Sequence, residues 1–160
     1  MAGAGIPGPL ETVYVLDTQA WVWLLEGSPK LSRAAKAVLL SQKSRLALPS
    51  YCFEEMGRKF PYTNVIKRDT IKIPPTPTLR LGLATVNIRV IPRGSSAPMA
   101  EELRLMSLYQ RKQLPIIDGQ DIPIVAVVLA LRKLFPSTKL VSKDSKLTKW
   151  ANRSGITVVW

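Results

Sequence analysis

The chain has 160 residues, enough for one domain with a sizeable core, and its 46% apolar and 21% charged content is that of a globular protein. Twenty-three Lys and Arg against eleven Asp and Glu give a formal charge of +12 and a pI near 10, which points to a polyanionic partner such as nucleic acid, an anionic membrane or an acidic protein. There is no histidine and a single cysteine, Cys52, which excludes His-based acid–base chemistry, Ser-His-Asp triads, His/Cys zinc sites and an intramolecular disulfide.

Residues 1–11 are rich in Gly, Ala and Pro and lack the basic start and apolar centre of a signal peptide, so they read as a flexible tail in a cytoplasmic protein. Val13 to Leu16 reads as a short buried strand closed by Asp17 and Thr18. A helix is expected over Thr18 to Glu26, stopped by Gly27-Ser28-Pro29, and a second over Leu31 to Gln42 with Ser32 as N-cap. Arg45 to Pro49 is the next strand and Ser50 to Phe60 the next helix.

Six of the thirteen prolines fall between Pro61 and Pro98, and Pro74-Pro75-Thr76-Pro77 rules out a long helix there. This stretch, 61–98, reads as irregular apart from a strand over Asn87 to Ile91. Met99 to Lys112 is helical, with Leu103, Met106 and Tyr109 spaced for a buried face. A helix from about Gln120 to Phe135 follows, then a strand over Lys139 to Ser142, a helix over Ser145 to Arg153 and a strand over Ile156 to Trp160. The longest uncharged apolar run, Ile122 to Leu131, is too short to span a bilayer, so no membrane association is expected. Strands and helices alternating at these lengths argue for an α/β domain over 12–160 with a mostly parallel sheet covered on both faces.

The scarce carboxylates fall at the ends of the predicted strands: Asp17 after the first, Glu55 beyond the second and Asp144 after the fourth. Asp118 and Asp121 precede the most apolar helix. Ligands of parallel sheets bind outside these carboxyl ends, and clustered acids in so basic a chain suit a cation. Without His, such a site must use oxygen ligands, which suits Mg2+ or Mn2+. Asp17, Asp118 and Asp144 also sit where aspartate caps helices, the simpler role for any one of them.

Taken in order, these segments resemble the motifs of the PIN-domain family, and of its VapC-type toxin ribonucleases in particular. Tyr14-Val15-Leu16-Asp17-Thr18 is similar to the first motif, and Ser50 to Lys59, with Glu55 in register, to the second. Asp118-Gly119-Gln120-Asp121 ahead of Ile124-Val125-Ala126 resembles the third, and Leu140-Val141-Ser142-Lys143-Asp144 the fourth. The resemblance runs from Tyr14 to Trp160 and implies a three-layer α/β/α sandwich around about five strands. It also implies a Mg2+- or Mn2+-dependent endoribonuclease that hydrolyses RNA by in-line attack of an activated water, leaving a 5′-phosphate and a 3′-hydroxyl. On that basis Asp17 and Asp121 are the principal metal ligands. Asp144 is a ligand or an acid behind the ligands, Glu55 is a ligand or orients the water, and Asp118 and Thr18 are auxiliary. A homodimer and an antitoxin partner are implied in the same way.

Arg58, Lys59, Lys143 and Lys146 lie close in sequence to these acids and are the expected RNA contacts, although each is also compatible with a solvated helix face. Trp21 and Trp23, two apart, cannot share a helix face, so one packs inward and the other is left for a partner surface, a use favoured over base stacking for either; Trp150 and Trp160 are expected in the core. Gln19 departs from the His or Asn common in close relatives. Pro123 raises a geometric question: in a helix begun directly after Asp118 it would be the fifth residue and break a hydrogen bond. Such a helix starts nearer Asp121 or kinks, and a displacement of Asp121 by either would leave a catalytically weak or inactive RNA- or protein-binding module. Phosphatases of the HAD type need Asp-x-Asp after the first strand, where Gln19 stands in the second position, and the acidic pair of receiver domains is absent.

Overall fold

The computed structural model describes residues 12–41, 43–59, 88–114 and 117–160, with side chains at 25–26 and 56–59 excepted. Among these residues, five strands form one parallel sheet: β1 (Val13–Leu16), β2 (Arg45–Pro49), β3 (Ile88–Ile91), β4 (Lys139–Val141) and β5 (Val158–Val159). Six helices accompany them: α1 (Thr18–Glu26), α2 (Arg33–Leu39), α3 (Tyr51–Lys59), α4 (Ser96–Gln110), α5 (Ile122–Leu134) and α6 (Ser145–Arg153). The strands are short and apolar because both faces of the sheet are covered, giving a three-layer α/β/α sandwich. No described helix is long and apolar enough to cross a membrane.

The strand order β3-β2-β1-β4-β5 decides where a ligand can sit. The chain builds outward from β1 through β2 to β3, then returns to the other side of β1 with β4 and β5. Right-handed crossovers in opposite directions put successive helices on opposite faces, which opens a crevice between the carboxyl ends of β1 and β4. Leu16 pairs with Val141 at that end, and the Asp17 amide donates to the Val141 carbonyl at 3.2 Å. The residues that follow both strands are therefore neighbours.

Local sequence accounts for the helix ends. Ser32 accepts from the Ala35 amide at 3.0 Å as the N-cap of α2. Gly27 ends α1 in the left-handed region at φ 62°, where a Cβ would be strained, and its amide returns to the Leu24 carbonyl. Pro98 and Pro123 both fall in the first turn of a helix, where an amide has no intrahelical acceptor to lose. For this reason α4 begins at Ser96 rather than at Met99.

The expected buried face of α4 is corrected by the structure. Leu103, Met106 and Tyr109 are exposed, and Pro98, Glu101, Glu102 and Leu105 are buried instead. Ion pairs, one within the helix and others from outside it, accompany this burial. Glu101 accepts from Lys133 at 2.5 Å and from Arg104 at 2.9 Å, and Glu102 takes the Arg93 guanidinium at 2.6 Å. Arg93 also reaches Glu54 at 2.8 Å and lies 5.2 Å from the centre of the Tyr51 ring. The Pro-rich stretch lies outside the described residues up to 87, and beyond that point it carries β3 and the start of α4.

Candidate functional site

A pocket of about 390 Å³ opens at the crevice between β1 and β4, lined by Asp17, Glu55, Asp121 and Asp144 together with Thr18, Trp23 and Lys143. The four carboxylates come from different elements. Asp17 ends β1, Glu55 lies in the second turn of α3, Asp121 closes the 3-10 turn Gly119–Asp121, and Asp144 precedes α6.

Asp17 is the deepest of them, 4% exposed. One carboxylate oxygen accepts from the Ala20 amide at 2.7 Å and the other from the Ser142 hydroxyl at 2.5 Å. Burial nevertheless raises its pKa from 3.8 to about 6, with further contributions from the charges of Asp144 and Glu55 that outweigh part of the hydrogen bonding. Asp121 is likewise raised to about 6, first by burial and then by the charges of Asp144, Asp118 and Glu55. The Thr18 hydroxyl donates to Glu55 Oε1 across a short contact between α1 and α3. Asp144 accepts from the Leu147 amide at 2.8 Å as the N-cap of α6. Capping and pocket lining are thus compatible for Asp17 and Asp144.

With Pro123 in the first turn of α5, Asp121 lines the pocket. The Asp121 amide donates to the Asp118 carbonyl at 2.9 Å in the 3-10 turn, and α5 starts at Ile122, so no kink is required. Asp118 takes a different course: it is exposed, does not line the pocket and is paired with Lys146 at 2.9 Å. Of the expected basic contacts, Lys143 is at the pocket and Lys146 is committed to Asp118. The side chains of Arg58 and Lys59 lie outside the described residues.

Ser142 was not singled out from the sequence. Its hydroxyl donates to Asp17 and accepts from the Asp144 amide at 3.0 Å, tying the ends of β1 and β4 together. Its only signal was its position two residues before Asp144. Trp21 is 1% exposed, while Trp23 lines the pocket and lies 5.5 Å from Trp160, ring centre to ring centre. Trp150 is buried as expected, whereas Trp160 is only half-buried. Cys52 is buried, and its thiol is pushed up to about 12 chiefly by that burial, which leaves it inert as a nucleophile or ligand.

The donor set suits a divalent cation in chemistry: all-oxygen, acidic, and destabilised by its own charge at Asp17 and Asp121. Among the described residues, no three acidic or Cys side chains stand close enough to clasp one ion as they are placed. The cause is visible in the bonding, since Asp17 and Asp144 each turn an oxygen to a helix amide and Glu55 accepts from Thr18.

The chain is similar to VapBC2 from Rickettsia felis, solved with a DNA fragment from the promoter, at a TM-score of 0.59 and 18% identity over 91% of this chain and 96% of that one. VapBC-1 from nontypeable Haemophilus influenzae matches at a TM-score of 0.54 and 16% identity, over 91% and 96% of the two chains. The fold is that of a VapC-type PIN domain. FitAcB from Neisseria gonorrhoeae superposes at a TM-score of 0.52 and 17% identity, over 91% and 95% of the two chains. No protein-family model and no curated protein matches the sequence. The PIN fold thus accounts for the position of the pocket, at the switch point of its sheet.

Proposed function

We propose that this PIN domain is a divalent-metal-dependent endoribonuclease and the toxin of a toxin–antitoxin pair. One observation carries the reading: four carboxylates from four separate elements line a single pocket in a chain of charge +12. Asp17 and Asp121 would be the principal ligands of Mg2+ or Mn2+, with Asp144 and Glu55 completing the set and Thr18 orienting Glu55. Such ions, when bound, supply charge stabilisation to a phosphodiester and lower the pKa of water.

The residues of the chain prepare that chemistry. Ser142 and the Ala20 amide fix the orientation of Asp17, and Lys143 offers positive charge where a phosphate must approach an acidic pocket. Asp118 belongs to a surface pair with Lys146 rather than to the pocket. An antitoxin partner is supported by the similar structures, which are described as VapBC and FitAB assemblies. A homodimer and a cytoplasmic location form part of the same reading.

The test is cleavage of single-stranded RNA by the purified protein with manganese, with loss of cleavage in Asp17→Asn and 5′-phosphate on the products. A second reading, a PIN-fold RNA- or protein-binding module, is favoured by the absence of three closely converging carboxylates among the described residues. RNA binding without manganese-dependent cleavage would select it.

A further inference from the structure

Trp23 is the aromatic side chain lining the carboxylate pocket, where Val22, Ile124 and Leu147 supply further apolar surface. Helix geometry explains why. Trp21 and Trp23 are about 200° apart around α1; the first is 1% exposed in the core and the second is half-buried and lines the pocket. Two ammonium groups approach its ring, Lys30 from the turn after α1 and Lys143 from the loop after β4, each 5.7 Å from the ring centre. Both lysines are exposed, and among the described residues neither forms an ion pair. Trp160 backs the ring at 5.5 Å with its plane tilted by 50°, which restricts the motion of Trp23.

An aromatic ring with two exposed lysines over it has the features of a platform for one nucleotide: the ring stacks a base once the ammoniums move from it to the phosphates. Exposed lysines can leave the ring for a phosphate at little cost, since both ends of the exchange are solvated.

We infer that Trp23, Lys30 and Lys143 form a nucleobase-binding subsite that seats a nucleotide of single-stranded RNA beside the carboxylate pocket. This rests on the nuclease reading for the identity of the ligand, and it assigns Trp23 to base stacking rather than to packing or to a protein partner.

The test uses the full chain in millimolar magnesium with two labelled probes, a short mixed-sequence 2′-O-methyl oligoribonucleotide that resists hydrolysis and an abasic oligomer of equal length. Trp23→Ala should weaken binding of the base-bearing probe about 10- to 100-fold, as expected for loss of one stacked base, and leave the abasic probe within about twofold. Trp23→Phe, which keeps a ring and is checked by its thermal midpoint, should retain most of the affinity. Quenching of tryptophan fluorescence by the base-bearing probe should be smaller in Trp23→Phe than in the wild type. Lys30→Ala and Lys143→Ala should weaken both probes, each reducing the salt slope by about 0.7.

Equal loss for both probes in Trp23→Ala, or no loss for either, overturns the subsite; the second result is the one a protein-facing ring gives. Base-dependent binding through Trp23 in a protein that leaves unprotected RNA uncut with manganese supports the subsite and sinks the nuclease reading. Manganese-dependent cleavage without any dependence on Trp23 for base binding does the reverse.

Discussion

Two carboxylates expose little surface, Asp17 at the end of β1 and Glu101 in α4, at 4% and 6%. Asp17 lies deep in the fold, while Glu101 lies near the surface beneath the lysine and arginine that pair with it. Glu101 is surrounded by cations: Lys133 and Arg104 donate to it, and its pKa falls below 4.5, with the Lys133 hydrogen bond as the largest cause. Among the described residues Asp17 receives a hydroxyl and an amide, and its burial, with the charges of Asp144 and Glu55, raises its pKa to about 6. Twenty-three basic residues were available to neutralise either. The fold pairs Arg93, Arg104 and Lys133 with the acids of α4, while among the described residues the β1–β4 crevice is lined by four carboxylates and one basic side chain, Lys143. The negative charge at the crevice is thus a local arrangement set against the composition of the chain. A structural carboxylate is stabilised by pairing, whereas one left for a cation is held at a cost to the free protein.

The comparison breaks most visibly at Asp17. If the crevice holds a metal, Asp17→Asn should reduce manganese-dependent RNA cleavage to background. Glu101→Gln should leave the rate per folded molecule unchanged, both measured on a single-stranded substrate. The next effect is on stability. Manganese at about 100 times its dissociation constant should stabilise the wild type by about 2.7 kcal/mol, a rise of roughly 5–10 °C in thermal midpoint. Asp17→Asn should show little of that rise.

In pH the two residues should act in opposite directions. Asp17 has a folded pKa near 6 against 3.8 in the reference state, so in EDTA the folded protein binds the extra proton between these values. Stability from this group is then highest below about pH 4 and is lost as pH rises through 6, by up to about 3 kcal/mol. Chemical denaturation across this range should therefore show Asp17→Asn gaining on the wild type toward pH 7. Glu101 has the lowered pKa, and its contribution is present above 4.5 and lost as pH falls through its folded value. Glu101→Gln should cost about 1 kcal/mol at pH 7, limited because Lys133 and Arg104 are 72% and 54% exposed and can return to water. The smallest effect is expected at the Asp118–Lys146 surface pair, where Lys146→Ala should change neither the thermal midpoint nor the cleavage rate measurably.

Most of the site was legible because local rules placed it. Asp17 and Asp144 follow strands and cap helices, so a strand-end carboxylate could be assigned from a few residues of sequence. Pro123 left two helix starts open, and the structure selects the one in which a 3-10 turn precedes α5 and the proline occupies its first turn. Two details were not legible. Asp118 resembles a motif residue, but it is exposed, pairs with Lys146 twenty-eight positions away and does not line the pocket. Ser142 gains its role only because β1 and β4 pair in the register that sets it beside Asp17.

By itself, the sequence determined the alternation of strands and helices, the exclusion of His and disulfide chemistry, and the placement of acids at strand ends. These follow from periodicity, capping and residue inventory, which act over a few positions. Tertiary structure decided which charges meet. The spacing of Leu103, Met106 and Tyr109 marks an apolar row, yet α4 turns Glu101 and Glu102 inward because Lys133 and Arg93 reach them from other parts of the chain. The same fold pairs Glu101 and Glu102 with cations and, among the described residues, gives Asp17 a hydroxyl and an amide. A pair of charges separated by tens of residues has no local signature, and its energy depends on burial that exists only once the sheet and its helices have assembled.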